Sequence, residues 1–266
     1  MDCKACVFVD GENLRHSLID VFRDDSLLHP DQYLPHDARW TDFFDWIVSA
    51  AATDNCRRLR TYWFVTEAID CHPYGLTQLS DAANVARVTA ALRRRDHVQH
   101  QLKGLNDIER ADRIQRITAD LQKSQLQIES KFHQWISIQN GIAIKERAIE
   151  FRRAGAISFD LIDRRFGRDK AVDVRLACDM LMLRESYDTA IIISGDQDYV
   201  PAAQILKDSG KTVINVAFQR RSGKMLPGGA RRLNIVTDSS LIVPYNTLRA
   251  YMGFAPSKFE PDQKAA

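Results

Sequence analysis

Short, largely apolar runs lead to acidic residues in two distant parts of this chain. Residues 4–9 form the first run and lead to Asp10, and residues 190–193 form the second and lead to Asp196 and Asp198. Runs of this length and composition are typical of strands that are buried on both faces of a parallel sheet. Because functional groups gather beyond the carboxyl ends of parallel strands, we expect these acids to lie at one edge of the sheet.

Strand and helix patterns alternate around these two runs. A helical pattern follows Asp10, another covers 42–52, and a strand pattern covers 59–65. Further strands are predicted over 149–159, 190–194 and 212–217, and further helices over 172–183 and 199–207. Alternation of this kind predicts an α/β fold in three layers, with helices on both faces of a parallel sheet.

Residues 80–145 differ from the rest of the chain, because they include almost no Gly or Pro. Apolar residues recur there at steps of three, four and seven, which predicts a helical hairpin that turns near 104–107 and interrupts the α/β domain. Two roles stay open for this helical insertion: a structural arm, through which the chain would form a homodimer, or an element that grips substrate. The predicted domains are a discontinuous α/β domain at 1–79 and 146–250, the insertion at 80–145, and a disordered tail at 251–266.

Charge and cysteine content restrict the class of protein. Lys and Arg number 37 against 35 Asp and Glu, so attraction to nucleic acid has to come from local patches. No apolar run approaches the roughly 20 residues needed to cross a bilayer, and the N-terminus does not resemble a secretory signal. We therefore expect a cytoplasmic protein without membrane contact. The five cysteines are odd in number and scattered, which predicts reduced thiols.

A fourth acid, Asp173, lies where the helix over 172–183 begins, three residues after Lys170. Carboxylates that share a site raise one another's pKa, and a divalent cation removes that penalty. Oxygen ligands without a nearby set of Cys and His favour Mg²⁺ or Mn²⁺ over Zn²⁺. Helix capping is the alternative explanation for Asn13 and Asp198, because both side chains suit a helix start without any metal.

Three sequence blocks, in order, resemble the NYN domain family of the PIN-like nuclease superfamily. They are Val-Phe-Val-Asp-Gly-Glu-Asn at 7–13, Lys-Ala-Val-Asp at 170–173 and Ser-Gly-Asp-Gln-Asp-Tyr-Val-Pro at 194–201. The resemblance covers about residues 4–75 and 145–245 and leaves the helical insertion out. It is specific because the three blocks occur together, whereas any one of them alone would be a weak signal.

The resemblance implies a compact parallel sheet flanked by helices, and metal-dependent hydrolysis of RNA phosphodiester bonds that leaves a 5′-phosphate and a 3′-hydroxyl. By position, the implied metal ligands are Asp10, Asp173 and Asp196. Asp198 completes the implied catalytic set, by assisting ligation or by orienting water. The residues implied to contact phosphate or metal-bound water are Asn13, Ser194 and Lys170.

A cluster of cations near the end of the chain is a candidate for binding the RNA backbone. Residues 219–232 include no acid and predict a flexible basic loop after the last parallel strand. Its cations are Arg220, Arg221, Lys224, Arg231 and Arg232. A solvated loop with incidental charge is the alternative. Candidate platforms for stacking on unpaired bases are Trp63, Tyr199 and Phe218.

The sequence therefore favours a metal-dependent ribonuclease whose partner is single-stranded or structured RNA. The alternative is a non-catalytic RNA-binding or protein-interaction module that keeps the same acids. A dinucleotide-binding module of Rossmann type is excluded, because the first strand is not followed by a Gly-rich loop.

Overall fold

The structure is a computed structural model that describes residues 3–52, 55–76, 79–167, 170–226 and 231–255, without the side chain of residue 231. The strands are β1 Cys3–Asp10, β2 Cys56–His72, β3 Ile149–Asp160, β4 Arg165–Phe166, β5 Thr189–Ile193, β6 Thr212–Gln219, β7 Met225–Leu226 and β8 Ser239–Val243. The helices are α1 Gly11–Phe22, α2 Trp40–Ala51, α3 Ala82–Arg93, α4 Asp96–Leu102, α5 Asp107–Lys145, α6 Ala171–Met182, α7 Val200–Asp208, α8 Arg231–Val236 and α9 Tyr245–Tyr251.

The chain divides into two compact units. Strands β2 and β3 and helix α5 each contain residues of both units. Unit 1 comprises the described residues of Met1–Val65, Gln139–Ala154 and Ala171–Ala266. Unit 2 comprises those of Thr66–Ile138 and Gly155–Lys170. The division at 79/80 and 145/146 that the sequence suggests stays a prediction.

The sheet of unit 1 has the strand order β3-β2-β1-β5-β6. β1 runs parallel to both of its neighbours, and β5 and β8 both run parallel to β6. The predicted α/β class with a mostly parallel sheet is therefore confirmed. β8 was not predicted, because its five residues Ser-Ser-Leu-Ile-Val are largely exposed and lack the uniformly apolar pattern of a strand buried on both faces.

Alternate side chains of each central strand pack on opposite faces of the sheet. Phe8 of β1 and Phe64 of β2 are fully buried in a cluster with Met180 of α6. Trp63, between Tyr62 and Phe64 in the chain, contacts Trp40 of α2 instead, with 4.9 Å between ring centroids. This period of two explains why the strands carry large apolar residues at successive positions: both faces are covered by helices.

Unit 2 is built around its own apolar cluster, in which Leu92, Leu102 and Leu121 of the three helices pack with Phe159. The predicted turn near 104–107 separates α4 from α5. Asn106 caps α5, because its side chain accepts from the Glu109 backbone N–H at 3.0 Å while the Glu109 carboxylate accepts from the Asn106 N–H at 2.9 Å. The part of the predicted hairpin before this turn is not one helix but two, α3 and α4.

A disulfide joins Cys3 to Cys56, so the prediction that all five cysteines are reduced thiols is wrong. The two residues are direct partners in the parallel pairing of β1 with β2, and their Cα atoms are 4.3 Å apart. A separation of 53 residues in sequence says nothing about strand register, which is why the sequence did not indicate this pair. Cys6, Cys71 and Cys178 are free.

The C-terminal part of the fold extends past residue 251, where the sequence predicts the start of a disordered tail. Tyr251 belongs to α9 and Met252 is buried. The ring of Phe254 lies 4.9 Å from that of Phe22 in α1. The rest of the predicted tail, residues 256–266, lies outside the described residues. Within the described part of the chain, none of the helices is both long and apolar enough to span a bilayer.

Candidate metal centre

Asp10 is buried at the carboxyl end of β1, where it also caps α1. Its Oδ1 accepts from the Asn13 backbone N–H at 3.1 Å. Its Oδ2 accepts from the Ser194 hydroxyl at 2.9 Å and from the Tyr199 hydroxyl at 3.3 Å. Asp10 can therefore cap α1 and belong to the site at the same time, because one of its oxygens caps the helix while the other faces the loop that follows β5.

Parallel pairing of β1 with β5 brings the second acidic segment to the same edge of the sheet. The Asn13 side-chain oxygen accepts from the Gly195 N–H at 3.0 Å, which ties the first turn of α1 to the loop after β5. The Ser194 hydroxyl oxygen accepts from the Asp196 N–H at 3.0 Å. Asn13 and Ser194, two of the three residues that the resemblance assigned to contact with phosphate or metal-bound water, thus shape the loop that carries Asp196.

Three carboxylates converge at this edge. Each of Asp173, Asp196 and Asp198 offers a ligand atom, and these atoms all lie within 4.8 Å of one another. Asp196 caps the 3₁₀ turn that follows it by accepting from the Asp198 N–H at 2.9 Å. Asp173 lies in the first turn of α6 and accepts from the Tyr199 hydroxyl at 2.9 Å.

The convergent group differs in one member from the ligand set that the resemblance implies. Asp10, Asp173 and Asp196 line one cavity of about 370 Å³, but the mutually close group includes Asp198 in place of Asp10. The oxygens of Asp10 are already engaged by protein donors. A ligand role for Asp10 itself stays a prediction, as does the division of labour among the four acids.

Helix α1 contributes residues to the cavity that sequence reasoning missed. Glu12, His16 and Asp20 line it together with Asp10. Their spacing of four residues places them on one face of a helix that begins directly after the strand. This periodicity was a readable signal, because a polar stripe beside an apolar helix face indicates a surface turned toward solvent or a site.

Burial and charge repulsion both raise the pKa of Asp10. Burial, and to a lesser extent the neighbouring Asp173 carboxylate, raise the pKa of Asp10 to about 6, although hydrogen bonds from Asn13, Ser194 and Tyr199 lower it. Burial and the adjacent carboxylates also raise the pKa of Tyr199 far above its usual value. Tyr199 therefore keeps its single proton, which its hydroxyl shares between two acids.

The donor set fits a hard divalent cation. The close group of Asp173, Asp196 and Asp198 consists only of carboxylates, with no Cys or His in it. Carboxylate oxygens are the ligands that Mg²⁺ and Mn²⁺ prefer, and a cation would relieve the repulsion that three acids impose on one another. These three residues would hold the metal.

The basic loop predicted over 219–232 is in part a β-hairpin. β7 pairs antiparallel with β6, so β6 is not followed by a free loop, and β8 rather than β6 is the later parallel strand. Arg220 lies 3.6 Å from Asp20, and Arg221 lies 2.9 Å from Asp25. These ion pairs hold the hairpin against α1 and the segment after it. Residues 227–230 lie outside the described part.

The other cations predicted to contact substrate are three residues with exposed side chains and one at the start of a helix. Lys224, Arg232 and Lys170 are exposed, and Arg231 begins α8. All three aromatic side chains that were candidates for base stacking are buried, with exposed fractions of at most 1%: Trp63, Tyr199 and Phe218. The prediction that they stack on RNA is wrong, because their apolar surface belongs to the core.

Comparison with known proteins identifies the family. The model of the NYN domain matches residues 79–227, which is more than half of the chain. The chain belongs to the NYN domain family. That family is part of the PIN-like nuclease superfamily, so the identification made from the three motifs is confirmed.

The NYN match has a different extent from the expected resemblance. It includes the helical stretch at 80–145 and leaves out the block at 7–13. No curated protein matches the chain. A crystal structure of a protein of unknown function from Vibrio parahaemolyticus aligns with 91% of this chain and 93% of that chain, at 14% sequence identity and a TM-score of 0.44.

Gly11, the second residue of the motif Asp-Gly-Glu-Asn, is required by space rather than by a turn. It begins α1, and a Cβ there would lie 2.6 Å from the Phe64 carbonyl oxygen and 2.8 Å from a methyl of Val65. Gly11 does not have a positive φ, so it is the missing side chain, and not a left-handed backbone, that this position requires.

Replacing Gly11 by alanine is therefore expected to lower the free energy of unfolding by about 1–3 kcal/mol, as overpacking does. Urea unfolding monitored by circular dichroism measures the loss. Gly141→Ala is the matched control, because no atom lies within 4 Å of a Cβ at this exposed position in α5. Alanine is expected to stabilise that helix slightly. Equal stability of Gly11→Ala and the unsubstituted protein would show that the strand and helix can separate without cost.

Proposed function

We propose that this NYN protein is a metal-dependent ribonuclease that hydrolyses RNA phosphodiester bonds. The observation that supports the proposal most directly is the convergence of the ligand atoms of Asp173, Asp196 and Asp198 within 4.8 Å at the edge of a parallel sheet. Membership of a nuclease superfamily supports the same reaction class. Mg²⁺ or Mn²⁺ would supply positive charge and lower the pKa of a bound water.

The protein's own residues would position the reacting groups. Tyr199 orients Asp173 through its hydroxyl, and Asn13 fixes the loop that carries Asp196 through the bond to the Gly195 N–H. Residues that hold a ligand's orientation in this way typically change metal affinity or activity 10- to 100-fold when they are altered, on the order found for other metal sites. Asp10 is buried, shares the Tyr199 hydroxyl with Asp173, and would contribute negative charge next to it.

Cleavage of labelled single-stranded RNA tests the proposal. The unsubstituted protein is expected to cleave RNA with Mg²⁺ or Mn²⁺, to lose activity in EDTA and to regain it when Mn²⁺ is returned. The products are expected to carry a 5′-phosphate and a 3′-hydroxyl. Asp173→Asn is expected to be inactive, because it removes one of three converging charges, while Asp208→Asn, a matched change on the exposed end of α7, is expected to cleave normally.

The alternative function is a non-catalytic module that keeps the acids for stability. It predicts RNA or protein binding without cleavage under every metal condition. RNA cleavage that survives Asp173→Asn would point to a contaminant or to another site, and would contradict the proposed centre. A cytoplasmic location and a homodimer formed through the helical insertion stay predictions.

A further inference from the structure

Unit 2 carries a groove of about 820 Å³, lined by α3, α4 and the first turns of α5. This helical groove, as we call it, is defined by Arg93, His100, Lys103, Asp107 and Arg110. Its volume lies within the roughly 300–1,000 Å³ of sites that hold organic ligands. None of its residues belongs to the candidate metal centre, which is built from unit 1 alone.

Cations dominate the helical groove. Arg93 and Lys103 are exposed, and neither forms an ion pair within the described part of the chain. Arg110 lies 3.9 Å from the fully exposed Asp107. An ion pair this long and this exposed to water does little to neutralise the arginine. With His100 neutral, three cations face one carboxylate, which leaves a local charge of +2 in a chain whose overall charge is also only +2. Such a concentration of charge attracts a polyanion.

His100 adds a hydrogen-bonding group with a defined tautomer. Its Nδ1 lies 2.8 Å from the Asp96 carbonyl oxygen. Because a carbonyl oxygen only accepts, Nδ1 must carry the proton, and the neutral ring then has an acceptor at Nε2. An acceptor among cations suits a ligand that brings both negative charge and donors, such as the phosphates and hydroxyls of ribose.

An aromatic pair lies on a second cavity of unit 2. The rings of His72 and Tyr74 are 4.0 Å apart, and Tyr74 is half exposed. Both line a cavity of about 310 Å³ together with Arg87 of α3. Since Arg93 of the same helix lines the helical groove, α3 contributes to both cavities. Exposed aromatic rings beside arginine are the groups on which unpaired bases stack.

We propose that unit 2 binds single-stranded RNA, with the helical groove holding backbone phosphates and Tyr74 stacking on a base. The choice of RNA as the polyanion rests on the proposed function. Single-stranded RNA fits better than a duplex, because a paired base does not expose its face to an aromatic side chain. The helical insertion thus serves to grip substrate.

Fluorescence anisotropy with a labelled uridine oligonucleotide tests the proposal on the full chain in EDTA, where no metal-dependent cleavage occurs. Lys103→Glu is expected to weaken binding and to reduce the slope of log affinity against log salt by about 0.7 for each phosphate that the variant no longer neutralises. Lys123→Glu is the matched control, since Lys123 is exposed on α5 outside the groove, and it is expected to bind RNA nearly as the unsubstituted protein does.

Stacking makes a separate prediction. Tyr74→Ala is expected to weaken binding about 5- to 100-fold, the loss typical of one stacked base, without changing the salt slope. Tyr74→Phe keeps the ring and is expected to restore binding. Equal affinities of Lys103→Glu and Lys123→Glu, or unchanged affinity of Tyr74→Ala, would overturn the proposal. Inorganic polyphosphate that binds as tightly as RNA would also overturn it, because stacking would then contribute nothing.

The two proposals can fail independently. If the unsubstituted protein binds RNA through Lys103 and Tyr74 but does not cleave it, the nuclease proposal fails and the RNA-binding role of unit 2 stands. If the protein cleaves RNA and neither Lys103→Glu nor Tyr74→Ala changes affinity or KM, the metal centre stands and the role of unit 2 fails.

Discussion

Asp196→Asn is expected to lower the rate of RNA cleavage more than about 100-fold while leaving the fold unchanged. Changes to residues that merely orient metal ligands typically cost 10- to 100-fold, and the loss of a charged ligand is expected to exceed that range. The fold is expected to survive because asparagine caps helices as well as aspartate does. The bond from the Asp198 N–H to the side-chain oxygen at position 196 can therefore persist.

Initial rates with saturating Mn²⁺, together with calorimetric titration of Mn²⁺, measure this effect. Asp198 belongs to the same close group, but Asp198→Asn is expected to cost less, because Asp198 is exposed to water that can replace its oxygen and does not line the cavity that Asp10, Asp173 and Asp196 share. Asp208→Asn again controls for a charge removed elsewhere. Asp196→Asn with full activity and unchanged Mn²⁺ affinity would refute the assignment of the centre.

Asp10→Asn is expected to change how stability depends on pH in the metal-free protein. The pKa of Asp10 rises from 3.8 to about 6 on folding. Between these values the native state binds more protons than the unfolded state, so the free energy of unfolding falls as pH rises. The full shift corresponds to about 3 kcal/mol, and that stability is lost above about pH 6. Asparagine has no charge to bury and removes this loss.

Urea unfolding in EDTA between about pH 4.5 and 8 measures the difference in free energy of unfolding between Asp10→Asn and the unsubstituted protein. This difference is expected to rise by about 2 kcal/mol over the range in favour of the variant. Its absolute value at one pH is less informative, because an amide group facing the Ser194 and Tyr199 hydroxyls costs hydrogen bonds. A pH-independent difference would mean that Asp10 titrates normally.

The sequence predicted the sheet edge well, because local patterns determine where strands end. The run at 4–9 and the run at 190–193 became β1 and β5, and their parallel pairing brought Asp10 and Asp196 to one cavity. Asp173 joined them because the first turn of α6 faces the same edge. For Asp10 and Asp196, a short apolar run followed by polar residues was enough to place the acid, whereas Asp173 was placed by the predicted start of a helix.

Properties that depend on strand register, or on which segments lie close together in space, could not be predicted from the sequence. The Cys3–Cys56 pairing follows from which residues of β1 and β2 are opposite each other. The ion pairs of Arg220 and Arg221 depend on where α1 lies, so a stretch without acids in sequence still found carboxylates in space. Charge counted along the chain therefore overstated how free these arginines are.

The first strand is anchored at both of its ends. At one end a disulfide joins Cys3 to Cys56 of β2. At the other end Asp10 accepts hydrogen bonds from Asn13, Ser194 and Tyr199. A slip of two residues keeps the same side chains facing each side of a sheet, yet displaces every one of them by about 6–7 Å. The crosslink opposes that slip where Cys3 lies opposite Cys56, and the hydrogen bonds of Asp10 oppose it at the other end of β1. Both ends of the strand therefore help to keep the buried carboxylate in its place at the sheet edge.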